Sequence, residues 1–471
     1  MPEGLTEIRI ESLVQKGEGL GHTQDGKVVF VSGALGGETV LARITEQKKD
    51  FSRAVAVEVL DPSPDRVKPD CPYYGLCGGC NLMHLSTQAQ IREKQRIVTG
   101  TLVRFGAIDP DGGTVIEPPV TGAPLGYRTR VRLRLEKTDG GLKAGFSGRN
   151  SNDFVAIDHC PVLDPALDAL LREPEHLLPF VRDGEVQVCM GDDGPLLGDG
   201  TGHVTILGRS LPLSNRSFFQ SNLSLLPEMI EYVVSNVTGV KVMDLYSGIG
   251  VFSAFVEDRF ETLAVERDRR CLNLARSHLK RTRFFTDSVE DFSLPSGYDT
   301  VIVDPPRVGL DPKVPAMLAR SGARKIIYVS CDSVTMARDV SRLCSLGYRL
   351  GKVRLIDFYP QTHHVETCVL LVREREEDID TVSIKVDLEG INIRQDKQLL
   401  PEKPTYEKIK AYIKEKYGFE VTSLYIAQVK DRMGLEKRAN YNIGEGKAIV
   451  PNCPSEKEDA IVDAFRYFKL I

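Results

Sequence analysis

Alternating apolar and polar residues run through the first sixty positions of the chain. Four segments have this period of two: EIRIESLV, KVVFVSG, ETVLARIT and RAVAVEVL. Glycine-rich stretches such as GEGLGH and GALGGE separate them and are typical of turns. The pattern predicts a small all-β barrel over residues 1–61, with Lys48, Lys49 and Arg53 in its last loop. Small barrels often bind single-stranded nucleic acid, although a solvated turn explains the basic residues equally well.

Continuous apolar runs, each followed by a helical pattern, mark the region from 216 to 375. KVMDL, ETLAV, YDTVIV and IIYVS have the length and β-branched content of strands buried on both faces. The stretch SFFQSNLSLLPEMI (217–230) predicts a helix that leads into this region. Strands that alternate with helices indicate a doubly wound α/β sheet, and a last apolar strand, CVLLV, completes it.

The region between, residues 62–215, begins with a proline-rich, charged linker, DPSPDRVKPD (61–70). Ser86 to Phe105 has helical spacing, with Ser86 as a plausible N-cap. In YRTRVRLRLE the arginines fall two apart, so a strand would carry all four on one face: Arg128, Arg130, Arg132 and Arg134. Such a row favours an anionic partner such as a phosphate backbone, with a salt-bridged or solvated face as the alternative.

The last ninety residues follow an acidic linker, EREEDID (374–380). PTYEKIKAYIKEKYG and SLYIAQVKDRMGL have helical periodicity, and a final helix follows Ser455. A small α-rich unit is therefore expected over residues 381–471. It suits an RNA-binding accessory domain or a stabilising, partner-binding module.

Composition limits the classes of function. The chain has 471 residues, a formal net charge of −5 and a pI of about 6.0, which argues against nucleic-acid binding by bulk charge but leaves a local basic strip open. No run of 18 apolar residues and no apolar signal segment occurs, so we expect no membrane contact. Ten cysteines in such a chain indicate a reducing cytoplasm, where clustered cysteines point to a metal.

Three cysteines lie within ten residues in CPYYGLCGGCNLMHL: Cys71, Cys77 and Cys80. The nearby glycines let the backbone wrap closely, and Cys160, in IDHCPVLD, is the best placed fourth ligand. Four thiolates suit zinc or an iron–sulfur cluster. The C-x5-C-x2-C spacing departs from paired C-x2-C zinc knuckles and favours iron–sulfur, with a metal-free loop as the remaining alternative. We interpret the other cysteines, apart from Cys331, as structural.

A cysteine follows the strand in IIYVSCDSVTMAR (326–338). Cys331 thus lies at a strand end, and ligands bind at the carboxyl ends of strands in open α/β sheets. The position favours a nucleophile, whereas most buried cysteines are inert small hydrophobes. In DFYPQTHHVETCVLLV (357–372), Glu366 precedes the last strand, and we interpret His363 and His364 as loop residues that orient it rather than as metal ligands.

The turn in DLYSGIG follows the first strand of the α/β region. It lacks the third glycine of the dinucleotide fingerprint, so a nucleoside cofactor without pyrophosphate fits better, above all S-adenosylmethionine. Glu266 ends the second strand, where a carboxylate can accept hydrogen bonds from ribose hydroxyls. Asp287, in FFTDSVEDF, could meet an adenine amino group, and Asp304-Pro305-Pro306 ends the fourth strand with free carbonyls.

The motifs FFQSN, DLYSGIG, VDPPRVGL, YVSCD and THHVETCVLL occur in this order and as a set resemble the RNA uracil-5-methyltransferase family over about residues 5–373. The barrel resembles a TRAM domain, and with C-x5-C-x2-C…C it is similar to the 23S rRNA branch. The resemblance implies that Cys331 is the nucleophile and Glu366 the base. It implies cofactor contacts from Gln220, Tyr246, Glu266, Asp287 and Asp304. It also implies a [4Fe-4S] cluster on Cys71, Cys77, Cys80 and Cys160. Val251 replaces a polar residue common in relatives, which leaves one cofactor contact open.

The chemistry of such a reaction needs these residue types. Uracil C5 is too weakly nucleophilic to take a methyl group from a sulfonium, but thiolate addition at C6 creates an enolate whose C5 can attack. A base must then remove the C5 proton so that the thiol can leave. Because a free cysteine has a pKa of about 8.5, we expect Cys331 to need no strong activation. The target base must also leave its stack.

The expected fold class is α/β, in four parts. They are a TRAM-like β-barrel (1–61), a central α+β iron–sulfur and RNA-binding domain (62–215), a Rossmann-like S-adenosylmethionine-dependent methyltransferase domain (216–375) and a C-terminal helical accessory domain (381–471). We expect a cytoplasmic monomer that acts on RNA, most simply 23S rRNA, with tRNA as the alternative.

Two other functions compete with this interpretation. An amino-group methyltransferase usually has an aromatic residue after the fourth strand, but here the sequence is Asp304-Pro305-Pro306-Arg307, and a nucleophilic thiol would be superfluous. An RNA-binding protein without catalysis would not need to keep both Cys331 and Glu366.

Overall fold

The computed structural model describes residues 4–108, 113–373, 406–433 and 453–467. The chain divides into two units, Met1–Asp380 and Thr381–Ile471. The acidic linker predicted at 374–380 lies outside the described residues.

A closed five-stranded barrel begins the first unit. Its strands are β1 (Thr6–Val14), β2 (Glu18–His22), β3 (Val28–Ser32), β4 (Thr39–Gln47) and β5 (Phe51–Asp61), joined in the order β1-β2-β3-β5-β4. The barrel was predicted, but its second strand was not, because GEGLGH was interpreted as a turn. The glycines there serve close packing between strands: a Cβ at Gly21 would lie 2.5 Å from the carbonyl oxygen of Arg9.

Arg53 was also misplaced, since it lies in β5 rather than in the last loop. Its guanidinium donates to the carboxylate of Glu18 at 2.5 and 2.7 Å and lies 5.7 Å from the Phe30 ring centroid. Of the three predicted loop residues, Lys48 pairs with Glu46 at 2.7 Å. Arg53 is therefore part of the barrel's own packing.

The middle of the chain forms one long helix and two small sheets. Its elements are α1 (Thr87–Arg104), β6 (Val115–Ile116), β7 (Arg130–Thr138), β8 (Gly141–Ser147), β9 (Phe154–Ala156), α2 (Pro165–Ala169), β10 (Glu185–Gly191), β11 (Gly194–Leu197), β12 (Thr201–Ile206) and β13 (Arg209–Ser214). One sheet has the order β11-β10-β7-β8-β9, and β12 pairs with β13. The helix begins after Ser86, as predicted, although the Ser86 side chain makes no capping hydrogen bond.

Strand β7 has the predicted alternation, with Val131, Leu133 and Leu135 buried in the core and the arginines on the other face. Those arginines find partners within the protein. Arg134 donates to Glu136 at 2.5 Å, and Arg132 lies 3.5 Å from Glu185. Protein carboxylates thus relieve much of the repulsion, and a phosphate partner stays a prediction.

The rest of the first unit is the α/β region. Its elements are α3 (Leu226–Ser235), β14 (Lys241–Leu245), α4 (Val251–Val256), β15 (Glu261–Val265), α5 (Arg269–His278), β16 (Arg283–Phe285), β17 (Thr300–Val303), α6 (Val314–Ser321), β18 (Lys325–Ser330), α7 (Ser333–Cys344), β19 (Tyr348–Ile356) and β20 (Glu366–Arg373). They form an eight-stranded sheet in the order β16-β15-β14-β17-β18-β20-β19-β6. The first five are parallel, and β20 is antiparallel to β18.

The sheet is apolar on both faces, as the continuous hydrophobic runs predicted. One face buries Val301, Val303 and Tyr328, and the other buries Ile302 and Ile327. This is the doubly wound arrangement expected from alternating strands and helices, and it leaves the carboxyl ends of the parallel strands open along one edge.

The described residues of the second unit, 406–433 and 453–467, form three helices: α8 (Tyr406–Tyr417), α9 (Ser423–Arg432) and α10 (Ser455–Tyr467). Their apolar faces meet in a core that includes Ile409, Ile413, Ile426, Val429 and Ile461. The helical periodicity predicted here is confirmed. Among the helices described in both units, none has the length and hydropathy that a membrane span requires.

Candidate active site

One cavity of about 810 Å³ follows the carboxyl ends of the parallel strands. It is lined by every side chain that the sequence proposed for cofactor binding or catalysis: Gln220, Tyr246, Glu266, Asp287, Asp304, Cys331 and Glu366. Its size lies in the range typical of small-molecule sites. The structure therefore brings together residues that are separated by up to 146 positions in sequence.

The turn after β14 makes the floor of this cavity. Tyr246, Gly248 and Gly250 all have positive φ angles, of 60°, 55° and 79°. A Cβ at Gly250 would lie 2.5 Å from the Leu279 side chain, so glycine is required there by packing as well as by backbone conformation. Asp244 fixes the start of α4, because its Oδ2 accepts from both the backbone N–H and the hydroxyl of Ser253.

Glu266 lies immediately after β15 and braces the same turn. Its Oε2 accepts from the Gly248 N–H at 2.9 Å, and its Oε1 accepts from the Asp268 N–H at 2.7 Å. A carboxylate has further lone pairs, so it can still accept from hydroxyl groups of a ligand.

Gln220 reaches the cavity from a loop rather than from the helix expected at 217–230. The helix α3 begins only at Leu226, because the side chain of Asn222 holds the preceding loop. Asn222 accepts from the Leu225 N–H and donates to the Phe358 carbonyl, which competes with helix formation. The Gln220 Oε1 is buried and has no hydrogen-bond partner among the described residues, so it is available to a ligand in the cavity.

Two buried carboxyl groups, in β14 and just after β17, are hard to ionise. Burial and the nearby charge of Asp244 raise the pKa of Asp304 to about 7. Burial likewise raises the pKa of Asp244 to about 6. Burial therefore disfavours the charged form of Asp304, which lines the cavity.

Cys331 occupies the turn between β18 and α7. Asp332 caps that helix, since its Oδ1 accepts from the N–H groups of Val334 and Thr335 at 3.0 and 2.9 Å. The Ser330 hydroxyl accepts from the Asp332 N–H at 3.1 Å. These bonds fix the backbone on both sides of the thiol, which is half-buried.

Glu366 comes from the opposite direction. It is the first residue of β20, and because β20 is antiparallel to β18, its start lies at the edge where β18 ends. The register pairs Ser330 with Thr367. Cys331 follows Ser330 and Glu366 precedes Thr367, so the two residues lie side by side just beyond this last pair. Glu366 is buried, at 3% exposure.

Burial favours the neutral form of both groups. It raises the pKa of the Cys331 thiol to about 11, with a contribution from the charge of Glu366. It holds the pKa of Glu366 well above its usual range, with a contribution from Asp304. The cation of Arg307 opposes both shifts. The expectation that Cys331 needs no strong activation is therefore wrong, because it assumed an unperturbed thiol.

The two histidines before Glu366 have other partners. His363 bonds with Asn81, and His364 Nδ1 lies 3.5 Å from the Arg307 guanidinium. Their rings contact each other, with centroids 4.0 Å apart. Among the bonds of the described residues, neither histidine bonds directly to Glu366, so their role in orienting its carboxyl group stays a prediction.

The four predicted cluster ligands lie near one another. Burial, followed by the charges of Cys160, Cys77 and Cys71, raises the pKa of Cys80 to about 12. The Gly79 N–H donates to the Cys77 sulfur at 3.4 Å, and Gly75 has a φ of 91°. The described residues contain no group of three or more His, Cys, Asp or Glu side chains arranged to hold a metal ion.

Sequence reasoning missed two residues of the cavity, Arg307 and Tyr359. Arg307 was noticed only because it is not aromatic, although its charge acts on both reactive groups. Tyr359 was not considered. A polar residue directly after Asp304-Pro305-Pro306 was the available signal for Arg307; nothing local signalled Tyr359.

Comparison with known sequences gives two family matches. Residues 274–374 match the model described as tRNA (Uracil-5-)-methyltransferase, and residues 6–57 match the TRAM domain. The chain is 30% identical to the 23S rRNA (uracil(1939)-C(5))-methyltransferase RlmD of Alkalilimnicola ehrlichii over 448 residues, which covers 80% of this chain and 98% of that protein. The protein of the same name from Vibrio parahaemolyticus is 29% identical over 422 residues, covering 77% and 95%.

Among solved structures, the chain is similar to the Pyrococcus abyssi tRNA (uracil-54, C5)-methyltransferase in complex with S-adenosyl-L-homocysteine. The TM-score is 0.61 at 24% identity, covering 77% of this chain and 99% of that chain. At this identity the likeness shows a common fold.

Proposed function

The chain belongs to the RNA uracil-5-methyltransferase family, and we propose that it methylates C5 of a uridine in 23S rRNA with S-adenosylmethionine as the methyl donor. The observation that carries this proposal is the shared cavity of Cys331 and Glu366, which also holds the five candidate cofactor residues. A thiol and a buried carboxyl group on one ligand cavity are the two groups that this reaction needs.

In the proposed reaction the Cys331 thiolate adds to C6 of the flipped uracil, forming a carbon–sulfur bond and an enolate. C5 would then attack the methyl group that bound S-adenosylmethionine supplies, so that the methyl–sulfur bond breaks and S-adenosylhomocysteine leaves. Glu366 then accepts the C5 proton, the C5–C6 double bond re-forms and the Cys331 sulfur leaves as thiolate. The raised pKa of Glu366 makes its carboxylate a stronger base for this step.

Arg307 has a place in this chemistry. With a pKa of about 11, only about one Cys331 thiol in ten thousand is ionised at pH 7. We propose that the guanidinium stabilises the thiolate once RNA has closed the site. Exclusion of water then strengthens the interaction between the two charges.

The cofactor proposal uses the remaining residues of the cavity. Glu266 would accept from the ribose hydroxyls, and Asp287 would meet the adenine. Gln220 offers an unpartnered buried oxygen, and Tyr246 lies in the glycine turn below. Asp304, whose pKa is raised to about 7, would lie nearest the transferred methyl group and the uracil.

We further propose that Cys71, Cys77, Cys80 and Cys160 hold a [4Fe-4S] cluster. The donor set is all thiol, the cysteines share one electrostatic neighbourhood, and Arg128 supplies a nearby positive charge. A thiol whose pKa is raised by burial ionises readily only when a cation such as a bound metal ion stabilises the thiolate. Anaerobic purification should give about four iron and four sulfide per chain, and replacement of Cys80 by serine should abolish this; zinc instead of iron would contradict the cluster.

The RNA class is tested by mapping 5-methyluridine in total RNA from cells with and without the gene. We expect one position of 23S rRNA to lose its methyl group. The matching family model and the Pyrococcus abyssi structure are both described as tRNA methyltransferases. Loss of a methyl group from tRNA instead would show that the substrate is a tRNA. No loss in any RNA would overturn the function. The cytoplasm and a monomeric state stay predictions.

A further inference from the structure

Asn81 directly follows Cys80 and bonds to two other segments of the chain. Its Oδ1 accepts from the His363 N–H at 2.9 Å. Its Nδ2 donates to the Lys16 carbonyl at 2.6 Å and lies 3.0 Å from His363 Nδ1. Because Oδ1 faces an N–H, the amide orientation is fixed, and His363 Nδ1 must accept. The His363 ring proton is therefore on Nε2.

Both partner segments have strained backbones. Lys16 and Gln361 have φ angles of 72° and 69°, a region that residues other than glycine rarely adopt. The Gln361 carbonyl accepts from the N–H groups of Asn81 and Leu82, at 3.1 and 2.9 Å. Gln90, which is buried, exchanges two more hydrogen bonds with Gln361. Strain of this kind persists where surrounding bonds over-determine it, and it concentrates at functional sites.

The three joined segments line one small cavity beside the active site. Lys16, Leu82 and His363 form part of its wall, and Cys331 and Arg307 complete it. The cavity has a volume of about 190 Å³ and lies between the barrel, α1 and the loop that leads to Glu366. Lys16 is exposed and makes no ion pair with any described residue. The wall thus presents a free cation and the His363 ring next to the thiol.

We propose that Asn81 is a positioning residue that couples the cysteine loop of residues 71–80 to the active site. It holds the Lys16 turn and the loop at 361–366 in the arrangement that RNA meets beside Cys331. This inference rests on the proposed function for the identity of the substrate. It implies that whatever occupies the cysteines acts on the loop at 361–366 through the peptide bond between Cys80 and Asn81.

Hydrogen exchange on the full chain without RNA tests the coupling directly. In Asn81→Ala, the His363 amide loses its acceptor, and we expect exchange of segments 14–18 and 361–366 to become about tenfold faster. In Asn81→Asp, a carboxylate oxygen still accepts from His363, but the bond to the Lys16 carbonyl is lost. Only segment 14–18 should then exchange faster. Cys80→Ser should loosen both segments.

The matched control is Asn236→Ala. Asn236 is also half-buried and donates to a backbone carbonyl, that of Tyr232, but it lies at the end of α3. Its loss should leave both segments unchanged. Binding of S-adenosylhomocysteine checks that each variant keeps its methyltransferase sheet, because Asn81 lies outside the cofactor cavity; its Kd should change less than twofold.

Kinetics of the holoenzyme supply a second readout. In Asn81→Ala, kcat/KM for RNA should fall about tenfold, mainly through KM, and Asn81→Asp should lie between this variant and the wild type. Unchanged exchange of both segments in Asn81→Ala, or equal effects of Asn81→Asp and Asn81→Ala on the His363 amide, would overturn the proposal. A wild-type protein that methylates no RNA would remove the proposed function, while the exchange experiment would still decide the coupling.

Discussion

Cys331 must react as a thiolate and Glu366 as a carboxylate, but the surroundings of both groups disfavour a negative charge. Burial favours the neutral form of Cys331 and of Glu366, and the charge of Glu366 would further destabilise the Cys331 thiolate. Arg307 is the cation that acts on both. At the residue scale, the site therefore depends on substrate to complete it, and two predictions follow from this.

Replacement of Glu366 by glutamine should stop the reaction after methyl transfer. Glutamine has a similar shape but cannot accept the C5 proton, so the carbon–sulfur bond to Cys331 cannot break. We expect a covalent protein–RNA complex that survives a denaturing gel. Cys331→Ser should give no complex, and a Glu366→Gln variant with undiminished turnover would contradict the mechanism.

The rate of adduct formation should rise with pH. Because the pKa of Cys331 is raised to about 11, the thiolate fraction increases about tenfold per pH unit at any pH below that value. Single-turnover measurements at subsaturating RNA, which report the pKa of the RNA-free protein, should show this slope between pH 6 and 9 without a plateau. Arg307→Met removes the opposing cation and should lower the rate at least tenfold throughout. Arg281→Met, on an exposed arginine that lies near Asp258, is the control.

At the scale of elements, the position of Glu366 depends on how one helix is tied to the end of the sheet. Lys94, in α1, donates to Asp357, just after β19, at 2.6 Å, and both side chains are only 2% exposed. Lys94 also donates to the Tyr359 carbonyl at 3.1 Å. This buried pair holds the beginning of the loop that ends at Glu366.

Removal of one member of that pair should be more damaging than removal of both. Lys94→Met leaves an unpaired buried carboxylate and should lower the free energy of unfolding of this region by about 3–5 kcal/mol. The double variant Lys94→Met/Asp357→Leu should recover most of that loss, because two apolar groups need no partner. Denaturant unfolding measures both; equal losses would show that the charges are not the cause.

At the scale of the whole molecule, about a fifth of the chain lies outside the part that aligns with its relatives. The relatives from Alkalilimnicola ehrlichii and Vibrio parahaemolyticus are covered over 98% and 95% of their length by 80% and 77% of this chain. All residues of the candidate site precede β20 or begin it. The helices α8, α9 and α10 have a core of their own.

A chain that ends at residue 380 should therefore keep its methyl-transfer chemistry. We expect its kcat on a saturating RNA substrate to stay within about threefold of the full chain, since no residue of the cavity is removed. If the second unit binds RNA, KM should rise while kcat holds. A loss of kcat with intact cofactor binding would contradict this assignment.

The local sequence pattern predicted most of the helices and strands correctly. It failed where a contact with a distant segment determined the backbone conformation. The apolar runs correctly predicted the parallel strands, and helical spacing correctly predicted α1 and the C-terminal helices. The pattern failed at β2, because close strand packing and turns both use glycine. It failed at residues 217–225, where the Asn222 side chain bonds to the distant Phe358 carbonyl.

The sequence by itself determined the identities and the strand ends of the reactive groups, because residue type and hydrophobic period are local properties. Only the tertiary structure decided how deeply those groups are buried and which charges lie near them. The antiparallel direction of β20 brings Glu366 to the end of β18, and the resulting burial raises the pKa of Cys331. Desolvation and charge act through space, and the neighbours that produce them, Arg307 and Asp304, come from a different strand.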